Sequence, residues 1–197
     1  MTGKSNYEKM LDEEEYFPDQ ELADLAYECS EGMIFINSRP PRDMERQNFL
    51  QEFFGSIGSH VTIKGNFNCD YGKNIFIGNG TIINCNVTIL DTNRVEIGDN
   101  VFIAPNCVFS TAGHAIDSEQ RAKGLEIARP ITVGNNVWIG ANVSVLPGVT
   151  IGSSSIIGAG SVVNKDIPEG VIAAGNPCKV IRKITEEDKK KYPVFNE

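Results

Sequence analysis

At 197 residues the chain is long enough for one domain with small additions and a proper buried core. Its 18 Lys and Arg stand against 26 Asp and Glu, and the resulting formal charge of −8 repels nucleic acid and anionic membranes as main partners. No apolar run approaches the roughly 20 residues that cross a bilayer, and the acidic N-terminus lacks the apolar core of a signal peptide, so the expected location is cytoplasmic.

Residues 1–56 are charged, poor in glycine and helical in pattern. Tyr7, Met10 and Leu11 share a helix face that ends at Tyr16-Phe17-Pro18. Asp19 is placed to cap a second helix carrying Leu22, Leu25 and Ala26 on one side. Pro40-Pro41 predicts a third helix start, Phe49, Leu50, Phe53 and Phe54 form its apolar stripe, and Gly55 is its expected stop. This helical segment is expected to cap one end of the larger domain C-terminal to it.

Residues 57–184 carry a different rhythm. In the run from Val133 a branched aliphatic residue returns every sixth position, at Val133, Ile139, Val145, Ile151, Ile157 and Val163, and Gly follows four of the six. A period of six is neither the helical 3.6 nor simple strand alternation. It predicts a parallel β-helix, one short strand and one turn per repeat, three repeats per coil, with coils stacked about 4.8 Å apart. Upstream the beat is read as starting at Tyr71 and running through Ile77, Ile83 and Ile89. It then slips by two to Ile97, Ile103 and Phe109. That count gives four or five coils. Residues 111–130, TAGHAIDSEQRAKGLEIARP, break the pattern and read as a polar protruding loop of the kind that carries function. A short helix capped by Thr185, with Asp188 three residues on, opens the tail 185–197.

The chemistry is expected where the beat is interrupted. Of the two histidines, His60 reads as a structural turn residue. His114, between Gly113 and Ala115 at the loop entry, is the candidate proton acceptor near neutral pH. Asp19, Asp70, Asp91 and Glu126 are caps, turn residues or ligands. Lys165, Lys179, Arg182 and Lys183 form a basic cluster that is either solvated surface or a phosphate site. The five cysteines, Cys29, Cys69, Cys85, Cys107 and Cys178, are scattered without CxxC spacing and predict neither a disulfide framework nor a zinc site.

Three stretches together, EKMLDEEEYFPDQEL, NCDYGKNIFIGNG and TAGHAID, with the run ITVGNNVWIGANVSVLPGVTIG and SIIGAGSVVNKDIPEGVIAAGNPCKVIRKI, resemble the hexapeptide-repeat acyltransferases. The likeness is to their maltose and galactoside O-acetyltransferase branch and covers roughly residues 7–184. It implies a left-handed parallel β-helix, against the usual right-handed crossover. It also implies a homotrimer with active sites between subunits, acetyl-CoA as co-substrate with no metal, and a hydroxylated acceptor, most often a sugar. By motif, His114 matches the general base and Asn84 the oxyanion-stabilising amide. Asn84, Ala141, Ala159, Asn164, Lys165, Lys179 and Arg182 match coenzyme contacts. Asp19, Asp70, Thr92 and Glu126 match the acceptor side, with Glu126 alternatively orienting His114. Trp138 is read either beside the pantetheine arm or in the core.

Several positions depart from the family. Ile82 and Cys85 stand where aromatic residues are usual, Gly113-His114-Ala115 replaces GHP, and Thr92 replaces an acid. These departures are assigned to the acceptor side. A non-sugar acceptor (serine, an antibiotic or a nucleotide-linked sugar) and a non-catalytic trimeric scaffold are the alternative readings. A zinc hydration enzyme on this fold needs three histidines, and the chain has two.

Overall fold

Each six-residue repeat folds into one short strand and one turn, and three strands close a coil of a parallel β-helix. The computed structural model describes residues 3–190, so the tail expected beyond the last helix lies outside the described residues. Three helices come first: α1 (Asn6–Leu11), α2 (Gln20–Asn37) and α3 (Met44–Phe53). The first coil is β1 (Ser56–Ile57), β2 (Thr62–Ile63) and β3 (Asn68–Cys69). The second is β4 (Ile75–Ile77), β5 (Ile82–Ile83) and β6 (Thr88–Leu90), and the third β7 (Val95–Ile97), β8 (Phe102–Ile103) and β9 (Val108–Ser110). A hairpin then leaves the body: β10 (Ala112–His114), α4 (Ser118–Ala122) and β11 (Glu126–Ala128). The fourth coil is β12 (Ile131–Val133), β13 (Trp138–Ile139) and β14 (Ser144–Val145). The fifth is β15 (Thr150–Ile151), β16 (Ile156–Ile157) and β17 (Val162–Val163). The antiparallel pair β18 (Val171–Ala174) and β19 (Lys179–Lys183) and a short α5 (Glu186–Lys189) close the stack.

The strands make three faces: β1-β4-β7-β12-β15, then β2-β5-β8-β13-β16 extended by β18 and β19, then β3-β6-β9-β14-β17. Five full coils stand roughly 25 Å tall at the strand spacing. The periodic residues fill the interior, from Ile63 through Ile83, Ile103 and Ile139 to Ile157 on the second face alone, all nearly inaccessible to solvent.

The beat begins one coil earlier than Tyr71. Ile57 pairs with Ile77 in register, so Ile57, Ile63 and Cys69 are the first members, and Tyr71 lies outside the stack, against Met10, Tyr16 and Leu22. The two-residue slip therefore occurs twice, after Cys69 and after Ile89, and the hairpin follows Phe109 at the equivalent place. All three interruptions fall on one edge of the prism, between the third and first faces.

The other two edges are regular. Between the first and second faces the chain turns through left-handed residues His60, Asn100, Asn136 and Ser154, with Gly80 in the same series. A positive φ is strained for most side chains and mild for Asn and Gly. His60, at φ 58°, is thus a turn residue as expected. Between the second and third faces Asn66, Asn86 and Asn106 adopt the same conformation, and their amides bond coil to coil at 3.0 Å.

The helices cover the first coil, whose outer strand groups would otherwise be unpaired. Asn37 acts as a backbone mimic, donating to the Phe67 carbonyl at 2.8 Å and accepting its N–H at 3.0 Å. The fully buried Arg46 donates to the carbonyls of Ile36 and Ile63 at 2.9 and 2.8 Å. Leu50, Phe53 and Phe54 join the core of the coils. Asp19 caps α2 through the Leu22 N–H, as the pattern predicts. The third helix differs: Asp43 is its cap, and Pro40-Pro41 lie in the preceding connection, because a carboxylate accepting the Arg46 N–H at 2.8 Å defines the start better than a fixed φ. Gly55 is not left-handed; a Cβ there would collide with the Lys73 carbonyl, so close approach explains it.

Candidate active site

The irregular edge of the prism is concave because α2 and the hairpin both lean over it. Asp70 follows the first coil on this edge, Thr92 follows the second, and His114 ends the first strand of the hairpin that leaves the third. Together with Pro18, Asp19, Leu22, Ala23, Ala26, Tyr71, Ala112 and Glu126 they line a recess of about 360 Å³. All four residues matched to the acceptor side, Asp19, Asp70, Thr92 and Glu126, therefore meet His114 in one place.

The segment 111–130 is more ordered than its sequence suggests. Its stems pair as antiparallel strands with His114 directly opposite Glu126, and Asp117 caps the helical tip. The N-terminal segment pins this hairpin. Tyr16 and Glu126 exchange backbone bonds at 3.1 and 3.0 Å, and the buried Tyr16 phenol donates to Glu126 Oε2 at 2.8 Å. Burial, followed by the Glu126 contact, drives the Tyr16 pKa far above its usual value, so this phenol stays a donor. Glu126 Oε1 faces His114 Nδ1 at 3.8 Å, an ion-pair distance when the imidazole is charged.

A second network holds the acidic wall. Asp91 is fully buried and accepts the backbone N–H groups of Asp70 and Tyr71, both at 2.9 Å, and of Asn74 at 3.3 Å. Asn74 returns a bond to the Asp91 carbonyl at 2.8 Å and accepts the Tyr7 hydroxyl at 2.9 Å, tying α1 to the turn. Desolvation pushes the Asp91 pKa up to about 6 despite these N–H donors. Asp70 is also raised by burial, against which the Thr92 hydroxyl, donating to Asp70 Oδ2 at 3.1 Å, favours the carboxylate. Asp91 belongs to the scaffold of the recess and does not line it.

The residues matched to the coenzyme divide between two edges. Asn84, Ala141 and Ala159 occupy equivalent corners between the second and third faces, and Lys179 begins β19 just beyond them. Asn84 Oδ1 accepts the Cys85 N–H at 2.9 Å, which leaves its amide NH₂ to donate outward. Asn164 and Lys165 stand instead on the irregular edge, where with Arg129, Pro147 and Gly148 they line a hollow of about 480 Å³ above the hairpin. Arg182 is engaged by Asp188, both guanidinium nitrogens at 2.7 Å, and so is not simply solvated. In one copy of the chain Asn84 and His114 are on different edges.

One assignment changes. Trp138 is 54% exposed on the second face, stacked in register between Phe102 and Ile156, so it is no core residue. Ile82 extends the same outward row beside Phe102, two residues before Asn84, and does not line the recess that holds His114 in the same copy. Tyr16 and Tyr71 were not singled out as site residues by sequence, the doubled slip after Cys69 and Ile89 being the available signal; Asp91, read there as a cap, turn residue or ligand, accepts the N–H groups of the turn.

A family model described as bacterial transferase hexapeptide (six repeats) matches residues 130–165. The galactoside O-acetyltransferase of Escherichia coli is 48% identical over 158 residues, which is 80% of this chain and 78% of that protein. The crystal structure of a maltose O-acetyltransferase from Clostridium difficile superposes with a TM-score of 0.90 at 42% identity, covering 94% of this chain and all of that one. A galactoside acetyltransferase solved in complex with coenzyme A gives a TM-score of 0.90 at 40% identity over 99% and 98% of the two chains.

Proposed function

The chain belongs to the hexapeptide-repeat acetyltransferases of the maltose and galactoside type and is an acyltransferase; from that premise we propose that it moves an acetyl group from acetyl-CoA to a hydroxyl of a sugar or glycoside by direct attack. The observation that carries this reading is the convergence of His114 with Asp19, Asp70, Thr92 and Glu126 in one recess. Carboxylates and a hydroxyl suit an acceptor rich in hydroxyl groups, and a half-exposed imidazole beside them suits proton removal. The residues 1–56 then serve as the acceptor-side cap and 57–184 as the transferase body.

In this mechanism His114 takes the proton of the acceptor hydroxyl while that oxygen attacks the thioester carbonyl. The Asn84 amide donates to the oxyanion of the tetrahedral intermediate. As the carbon–sulfur bond breaks, the imidazolium returns its proton to the leaving thiolate, and no acyl-enzyme forms. Because Asn84 and His114 occupy different edges, a complete site joins the irregular edge of one copy to the Asn84 edge of another. A closed ring of three copies supplies three such junctions. Asn84, Ala141, Ala159, Asn164, Lys165, Lys179 and Arg182 would line the coenzyme's path across them, the two alanines letting the pantetheine arm meet backbone.

Thiol release from acetyl-CoA in the presence of a panel of glycosides tests the reading; no release above background with any of them would return the chain to the scaffold alternative. Reversing charge in the double variant Lys165→Glu/Lys179→Glu is expected to raise KM for acetyl-CoA about tenfold or more, since charge-assisted phosphate contacts are lost, with the acceptor KM nearly unchanged. Equal damage to both constants would remove these lysines from the coenzyme site. Tyr16→Phe keeps the buried ring and deletes the donor to Glu126. It is expected to cost about 1–3 kcal/mol of stability and to lower kcat, with KM for acetyl-CoA unchanged, as read by denaturant unfolding and steady-state kinetics.

A further inference from the structure

Cys29 and Cys69, 40 residues apart in sequence, meet in the core with their sulfurs 3.5 Å apart. Cys29 lies in the middle of α2 and Cys69 ends β3, so the contact joins the N-terminal helices to the first coil. Both are buried and both are free thiols. The Cys29 thiol also approaches the Cys69 carbonyl at 3.7 Å, and Met33, one turn further along α2, sets its thioether sulfur 3.1 Å from the Cys69 backbone nitrogen. Cys107, by contrast, donates its thiol to the Gly140 carbonyl at 3.1 Å. A disulfide bond is about 2.05 Å long, so the Cys29 and Cys69 sulfurs need to close by about 1.5 Å, the scale of a side-chain rotation with a small helix shift.

Access to the pair is one-sided. Cys29 lines a recess of about 280 Å³ between α2, α3 and the turn after β3, whereas Cys69 does not line it. The contact with Cys29, followed by burial, drives the Cys69 pKa far above its usual value, so this thiol stays protonated. A small oxidant therefore meets Cys29 first, and Cys69 stands behind it as the resolving thiol. The pair also borders the acceptor recess. Asp70 and Tyr71 follow Cys69 directly on one wall, and Leu22, Ala23 and Ala26 of α2 stand on the other. A bond between the two sulfurs draws these walls together.

We propose that Cys29 and Cys69 are a peroxide-sensitive pair whose disulfide clamps α2 to the first coil and narrows the acceptor recess. The Cys29 thiolate attacks one oxygen of hydrogen peroxide and the O–O bond breaks. Cys29 becomes a sulfenic acid, and the other oxygen takes up the thiol proton and leaves as water. The Cys69 sulfur then attacks the sulfenic sulfur, the S–O bond breaks, and a second water carries away the Cys69 proton. Two thiols lose two electrons in all, and one hydrogen peroxide is reduced to two waters. The disulfide stands on geometry alone; its effect on turnover rests on the acetyl-transfer reading of the neighbouring recess.

The test treats the full chain with hydrogen peroxide, removes the excess with catalase, and maps the thiols by peptide mass spectrometry after alkylation. Cys29 and Cys69 are expected in one cross-linked peptide pair that dithiothreitol separates. The oxidised protein is expected to unfold about 5 °C or more above the reduced one, since the cross-link closes a long loop of the unfolded chain. Cys69→Ala is expected to show no such rise and to leave Cys29 as a sulfenic acid that dimedone traps. In the wild type, oxidation is expected to raise KM for a glycoside acceptor about threefold or more and to leave KM for acetyl-CoA unchanged, both reversibly. Peroxide that leaves the two thiols reduced while it oxidises the less buried Cys85, or that joins either of them to another cysteine, overturns the pair. A mapped disulfide with an unchanged glycoside KM overturns the narrowing of the recess. Absence of turnover in the reduced protein overturns the acetyl-transfer reading, while the peptide map and the unfolding shift still decide the disulfide.

Discussion

Replacing His114 with alanine is expected to lower kcat by about 10² to 10⁴, the usual contribution of a positioned general base. His114 is exposed over 58% of its side chain, and its nearest charged partner is Glu126 at 3.8 Å. Its loss leaves no buried group unpaired, so thermal unfolding and the far-ultraviolet spectrum are expected to match the wild type. KM for acetyl-CoA is expected to stay near its original value, because the imidazole acts on the acceptor oxygen. A folded variant with its full rate of thiol release would remove His114 from the mechanism.

The second large effect is expected at Asp91, which is buried behind the wall of the acceptor recess. Asp91→Ala strips the acceptor from the N–H groups of Asp70, Tyr71 and Asn74 in a site without solvent. Each buried donor left unmade costs about 1–3 kcal/mol, so a loss of about 3 kcal/mol or more is expected in denaturant unfolding. The acceptor KM is expected to rise as well, since the turn that presents Asp70 and Tyr71 loses its anchor.

The pH dependence has a definite sign. With the Asp91 pKa pushed up to about 6, the folded state holds this proton where an unfolded chain, with an ordinary carboxylate, has released it. This group's contribution to stability is therefore full below about pH 4 and lost as pH rises toward 6, by about 3 kcal/mol. Asp91→Asn, which cannot titrate, is expected to lack that component, so the difference between the two unfolding curves should change across pH 4–6 and stay flat above. A constant difference across that range would mean that burial does not control this carboxyl.

Much of the architecture was legible because the six-residue period is a covalent property of the chain. Val133 to Val163 must turn one side inward at every repeat, and the structure places all of them in the core. Asp19 as a cap and His60 as a turn residue were legible for the same reason: local hydrogen bonding and local φ decide them. The start of the beat was not. Cys69 is a weak member, and Tyr71 lies six residues before Ile77 by coincidence, so only pairing of Ile57 with Ile77 reveals the first coil. Trp138 illustrates a further limit. Period alone does not say which neighbour of an inward residue is covered, and here it stands outward beside Phe102.

The candidate site divides along the same line. The family motifs name His114, Asn84 and the acids, but the distance between them is a matter of coil geometry. Residues 70, 92 and 114 are twenty-two apart in sequence, and they become neighbours because each interruption adds residues at the same corner of the prism. Asn84 belongs to another corner, so one copy of the chain does not bring it to His114. Tyr16 reaches Glu126 across 110 residues, and Asn93 reaches the Met10 carbonyl across 83, contacts that no local pattern encodes. What the sequence by itself determined is the repeat, its inward face and the types of residue at its breaks, because these follow from periodicity and local backbone preference. Only the tertiary structure decided that the breaks share one edge, that the N-terminal segment locks the hairpin there, and that Cys29 lies against Cys69, because each depends on how coils stack and what the helices cover.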